Sequence, residues 1–378
     1  MKKTIILSIM ALVFALSSVV KAEMTISGYT EFLAGSADQS KYQGVDNQSG
    51  IDRAGLDNGF FSRVTANYGT TLDNGIDVSG TMNLTTRDCQ GDKAGNCNVV
   101  NFNFVNFSGN FGVVSVGERF AAAQYVLSRM TAEVPTGEPD GGLTGYFHAS
   151  TGTAAGAANE QNYASNSMKV LYATNVYNGF QAAISYDPNT GNSGGGSAAD
   201  LDGQGTTSNV SGGKWANFND LLSIGVKYSM EMDGIGLDIA YVNQTGNAGQ
   251  DGGNNYNDLD ETAYSARISY GNFVADYRKN EADNSGYIKN GTAGNDEGTS
   301  VCGMYSMGNI RAAACDISTS FTDANNLSNS SSTRTYNADY NLGGGVTIGA
   351  VYFTKEVVAN SATQDDVEGI MTKLSVGF

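Results

Sequence analysis

"GIMTKLSVGF" covers Gly369 to Phe378, the last ten residues of the sequence. Ile370, Thr372, Leu374, Val376 and Phe378 fall on one parity, and Met371, Lys373, Ser375 and Gly377 on the other. A period of two describes a strand whose two faces meet different surroundings. Terminal strands fray unless something pairs with them. This ending therefore predicts a partner strand elsewhere in the chain.

Working back from that stretch, similar segments of about ten residues recur to Glu23. Examples are "MTISGYTEFL" (Met24–Leu33), "GFFSRVTANYG" (Gly59–Gly69), "LLSIGVKYSM" (Leu221–Met230) and "GVTIGAVYFTK" (Gly345–Lys355). They number sixteen, an even count. Their connections alternate between short and long. Tight Gly- and Asn-rich links such as "SGNFG", "NVYNG", "MGN" and "NLGGG" suit hairpin turns. The long connections include Ala34–Asn58, Thr86–Asn98, Phe120–Asn166, Pro188–Asp220 and Glu281–Glu297. A soluble sandwich has no reason to sort loops by length onto opposite ends, whereas an outer-membrane barrel does.

The other end of the chain agrees with export. Residues 1–22, "MKKTIILSIMALVFALSSVVKA", have a basic start, an apolar run and small residues before Glu23, the pattern of a cleaved signal peptide. Removing Lys2, Lys3 and Lys21 takes the formal charge from −17 to −20. Such acidity excludes nucleic acid as a partner, because phosphate neutralisation needs a basic surface. The 20 Tyr and 16 Phe, set in regular short runs, argue against disorder.

Alternation fixes what faces what. Leu222, Ile224, Val226, Tyr228 and Met230 oppose Ser223, Gly225, Lys227 and Ser229. Aromatic residues recur near strand ends at Phe60, Tyr68, Phe102, Tyr172, Phe180, Tyr186, Tyr228, Tyr241, Tyr270, Tyr277, Tyr340 and Tyr352, as interfacial girdles require. The apolar face therefore turns outward to lipid and the polar face inward to water. No unpaired backbone edge tolerates hydrocarbon, so the sheet must close. The last strand is expected to pair with Met24–Leu33. The fold class is all-β: a sixteen-stranded antiparallel transmembrane barrel over residues 23–378, a single domain with short periplasmic turns and long extracellular loops.

In these features the whole mature chain resembles the Gram-negative general porins, nearest the alphaproteobacterial type. In that family the barrel-assembly machinery reads a C-terminal Phe preceded by alternating apolar residues. Phe378, Val376 and Leu374 match, with Thr372 a mild departure. The resemblance implies a homotrimer set among lipid and lipopolysaccharide in the outer membrane, passing ions and small polar solutes. It also implies that the third long loop, 120–166, folds inward and sets acids against a basic wall. Glu118, Glu133, Glu138 and Asp140 are the candidate acids. The stretch Glu118–Met130 has the propensity for a short helix. Parity nominates Arg63, Lys169, Lys227, Arg267, Arg278 and Lys373 for the wall, with Arg87 at its rim. Sixteen strands leave an aqueous lumen, and the excess of acids predicts a mild cation preference.

Four cysteines in an exported chain suggest two bridges. Cys89 and Cys97 bracket one loop, "QGDKAGN". Cys302 and Cys315 are equidistant from a Gly308-Asn309 turn, which places them opposite each other at a non-hydrogen-bonded site with Cα atoms about 4.5 Å apart. Arg311 argues that this pair faces the lumen and Asp316 argues the reverse, so the face stays open. The sole histidine, His148, lacks any catalytic context, and no catalytic or metal-binding residue is assigned. "DGGNNYNDLDE" (Asp251–Glu261) offers oxygen ligands for a loosely held Ca²⁺ without EF-hand spacing. The alternatives are a substrate-selective porin and a surface adhesin. A selective channel would show a ladder of lumen aromatics or arginines, and no such run is apparent.

Overall fold

The computed structural model describes residues 23–39, 56–85, 100–128, 133–136, 167–189, 210–211, 214–215, 218–251, 253–289, 291, 294–322, 327–359 and 362–378. Sixteen strands form one closed barrel. The first four are β1 (Glu23–Gln39), β2 (Asp57–Thr71), β3 (Asp77–Thr85) and β4 (Val100–Gly109). They are followed by β5 (Gly112–Glu118), β6 (Met168–Ala173), β7 (Phe180–Asn189) and β8 (Asn219–Met232). Next come β9 (Ile235–Asn247), β10 (Leu259–Tyr270), β11 (Phe273–Asp283) and β12 (Asn295–Met307). The last are β13 (Ile310–Thr322), β14 (Ser328–Gly343), β15 (Val346–Ala359) and β16 (Ala362–Gly377). Each strand pairs antiparallel with its neighbour in sequence, and β16 closes on β1.

The closing pair runs from Tyr29↔Gly377 to Gln39↔Val367, farther along β1 than the expected Met24–Leu33. Alternation continues through the polar stretch after Leu33, where the loss of apolar contrast hid it. The same effect lengthens other strands: β13 runs through Thr322 and β14 begins at Ser328, where the Ser- and Asn-rich sequence carries no apolar alternation. Phe378 is tied down by a backbone bond from its N–H to Gly28 O at 2.9 Å, and Gly28 N–H returns one to Phe378 O at 3.0 Å. The end does not fray.

Parity sorts the faces as expected. On β8, Ile224, Val226 and Met230 are exposed outward, while Ser223 is fully buried inward. On β16, Ile370, Leu374, Val376 and Phe378 are exposed outward, and Met371 is buried inward. Most girdle residues point outward, including Phe60, Tyr68, Tyr172, Phe180, Tyr241, Tyr270, Tyr340 and Tyr352. Phe102 does not. It pairs with Asn83, which lies on the inner face of β3, so its ring turns into the barrel. "VNFNFVNF" is apolar on both parities, which defeats the alternation rule there.

The Gly308-Asn309 turn forms, with Gly308 at φ 59°, and Cys302 meets Cys315 in register. They are disulfide-bonded with Cα atoms 4.2 Å apart, and both are buried on the inner face beside Val134 and Met304. Asp316 consequently points outward, where Arg334 Nε donates to it at 2.8 Å. That ion pair is what lets an acid sit on the outer surface while the cystine faces in. Cys89 and Cys97 lie outside the described residues, as do residues 1–22.

Candidate functional site

The third long loop enters the barrel at once. After β5 the chain turns inward, and a short helix, α1 (Ala122–Val126), lies against the inner face of the wall. It is shorter than the expected Glu118–Met130. Ala122, Ala123, Val126 and Leu127 pack on Leu171, Ala183, Ala240, Val242 and Ala263, small side chains that let the loop approach the strands. A Cβ on Gly225 would stand 2.5 Å from Val126 Cγ2, so only glycine fits beneath it.

Three inward serines accept the loop's backbone N–H groups. Ala122 donates to Ser185 Oγ at 2.9 Å, Ala123 to Ser223 Oγ at 3.2 Å, and Ser128 to Ser265 Oγ at 3.0 Å. A loop lying on a sheet face has no ladder to join, and its buried amides need such partners. Farther along, Glu133 accepts from Arg267 Nη2 at 2.9 Å, and Thr136 O accepts from Asn337 Nδ2. Residues 121–128 and 133–136 thus touch the wall from β6 to β14.

The basic wall residues are inward but are not a free row of cations. Lys169 is fully buried, 3.7 Å from Asp187, and donates to Ser167 O at 2.6 Å. Lys227 lies 3.7 Å from Asp238, Arg267 Nε 3.1 Å from Asp276, and Lys373 3.0 Å from Glu31. Arg311, not nominated from the sequence, pairs with Asp339. Arg278 is buried on β11, one strand from Ser265. Neighbouring strands supply the acids, so much of the expected charge contrast is satisfied within the wall. Glu133 in particular reaches across to touch its base rather than facing it over a gap. Glu118 is buried at the end of β5, next to Gly117, which pairs with Lys169.

Arg63 is inward as nominated, but the company it keeps, Arg119 and the inward rings of Phe102 and Phe104, was missed. On the arc β1–β5, Arg63 lies with its guanidinium 5.6 Å from the ring centres of both Tyr29 and Phe61. Arg119, just after β5, lies 5.0 Å from the Phe104 ring and 5.5 Å from that of Tyr125. Phe102 meets Phe120 edge-on at 4.8 Å. The lumen therefore does carry clustered aromatics and arginines, contrary to the sequence reading. A parity count that broke the tie on β4 by register rather than by composition would have found them. Arg87, Glu138, Asp140 and His148 lie outside the described residues. In the segment considered for Ca²⁺, Asp258 accepts from Ala248 N and Asp260 from Asn243, so these carboxylates serve separate partners.

A closed sixteen-stranded barrel, apolar outside, polar inside and narrowed by an internal loop, defines a transmembrane diffusion channel. The chain matches the Gram-negative porin family over residues 8–359 and belongs to it. It is an outer-membrane channel for passive diffusion. No curated protein sequence matches it. Among solved structures it is similar to an anion-selective porin from Comamonas acidovorans, with TM-score 0.60, 14% identity, and coverage of 95% of this chain and 100% of that one. OmpF of Salmonella typhi in complex with daunomycin gives TM-score 0.62 and 12% identity, covering 94% and 97%. The trimer form of OmpT from Vibrio cholerae gives TM-score 0.57 and 11% identity, covering 94% and 99%.

Proposed function

We propose that the chain, freed of residues 1–22, is a homotrimeric general porin that passes ions and small hydrophilic solutes and performs no chemistry on them. The observation that carries this reading is a closed barrel with a polar inner face against which residues 121–128 and 133–136 lie. Trimeric forms among similar structures support the assembly. The exposed apolar parity ending in Phe378 supports recognition by the barrel-assembly machinery and contact with lipid and lipopolysaccharide. Small ions are selected weakly, with a preference for cations that follows from the excess of acids in the chain. The paired charges of the inner wall contribute little net sign. Glu138 and Asp140, on the same loop as Glu133, complete the acidic side of the passage.

Planar-bilayer recording tests this. Conductance in potassium chloride should rise in steps of three, and the reversal potential in a salt gradient should favour potassium slightly. Neutralising Glu133, Glu138 and Asp140 in turn should move that potential toward chloride. Identical potentials in every variant would remove the acids from the passage.

A further inference from the structure

A passage built only for hydrated ions needs small polar groups along its wall. The arc β1–β5 presents something different. Register places Arg63 opposite Thr85, Asn83 opposite Phe102, and Thr81 opposite Phe104. Read around the barrel, the inner surface runs from a cation through uncharged hydroxyl and amide groups to two phenyl rings. These rings are half-buried.

Arg63 also differs from most of the other inward cations. Five other inward cations hold a carboxylate on an adjacent strand. Among the described residues, Arg63 makes no ion pair, and its buried Nε has no hydrogen-bond partner. Arg119 spends Nε on Phe120 O at 3.3 Å and Nη1 on Asn106 Oδ1 at 3.2 Å, both uncharged acceptors. A guanidinium lying over a ring uses its face and keeps its in-plane N–H groups for a carboxylate. Asn83 Oδ1 is likewise buried without a partner and can accept from a hydroxyl or amide.

We propose that this strip is a binding subsite for small aromatic carboxylates, so that the channel retains and passes them ahead of aliphatic acids. The carboxylate sits on Arg63 and the ring lies against Phe102, two strands across and two residues along. That separation is about 12 Å between backbones, and both side chains project into the lumen. The inference rests on the channel reading and adds its solute class.

Phenylacetate and acetate, measured on the reconstituted full-length protein, separate the two. Both are monoanions, and size alone favours acetate. Phenylacetate should reduce the chloride current with a half-saturating concentration at least about tenfold below that of acetate, the order expected of ring packing plus a charge-assisted bond. Benzylammonium, which keeps the ring and reverses the charge, should not saturate. Arg63→Gln and Phe102→Leu should each weaken phenylacetate about tenfold. Arg63→Lys should weaken it less than Arg63→Gln. Normal potassium chloride conductance with phenylacetate and acetate alike in the wild-type channel would overturn the subsite and leave the porin reading intact. Absence of any conductance would overturn both. The wild-type comparison stands even if a variant fails to assemble.

Discussion

The two arcs of the inner wall solve different problems with the same strand geometry. From β6 to β14, bases and acids alternate on adjacent strands and the third loop lies over them. Lys169, Ser185, Ser223, Ser265 and Arg267 are all used in holding that loop or one another. From β1 to β5 the described loop residues make contact near the loop's root, and Arg63 lies beside rings. The lesson is that a cation's position on the lumen face does not make it a selectivity element. Whether it is available depends on what its neighbour strand carries, and that is set by register.

The comparison breaks most sharply at the buried pair. Lys169 and Asp187 have side chains 0% and 1% exposed. Replacing one partner strands the other charge away from water. Asp187→Asn should destabilise the barrel by roughly 3 kcal/mol, read as a lower urea midpoint for unfolding from detergent micelles. An unchanged midpoint would mean that water reaches Lys169 and that the loop does not seal this arc.

The serine contacts give the next largest effect. Each bond from a loop amide to Ser185, Ser223 or Ser265 is worth about 1 kcal/mol, and removing the acceptor leaves a buried N–H. The triple change to alanine should loosen α1 from the wall while the barrel persists. Single-channel traces should become noisier and mean conductance should rise. Quiet traces of normal amplitude would show that apolar packing of Ala122, Val126 and Leu127 suffices.

Much of this could be read in the residues alone, for a physical reason. Lipid on one side and water on the other impose strict alternation, so strand number, closure, the outward face of the terminal strand and the Cys302–Cys315 register follow from counting. Where both parities are apolar, as around Phe102, or both polar, as from Ser328 to Ser332, the contrast vanishes and so does the prediction. Partner identity was harder still. That Arg267 binds Glu133, or that Ser185 accepts from Ala122, depends on where a loop more than a hundred residues from β10 settles against the wall. No local pattern encodes that contact.

The exposed pair Lys227–Asp238 lies on the same arc as Lys169–Asp187 and at the same 3.7 Å, which isolates burial from distance. Its side chains are about one-third exposed, at 30% and 33%. Water screens both charges and solvates either one left alone. Lys227→Gln should therefore cost no more than about 0.5 kcal/mol, with the urea midpoint almost unmoved. The removed cation should still register electrically, as a small shift of the reversal potential toward potassium, because the side chain borders open lumen. A loss comparable to that of Asp187→Asn would place Lys227 under the loop as well, with no open lumen left beside it.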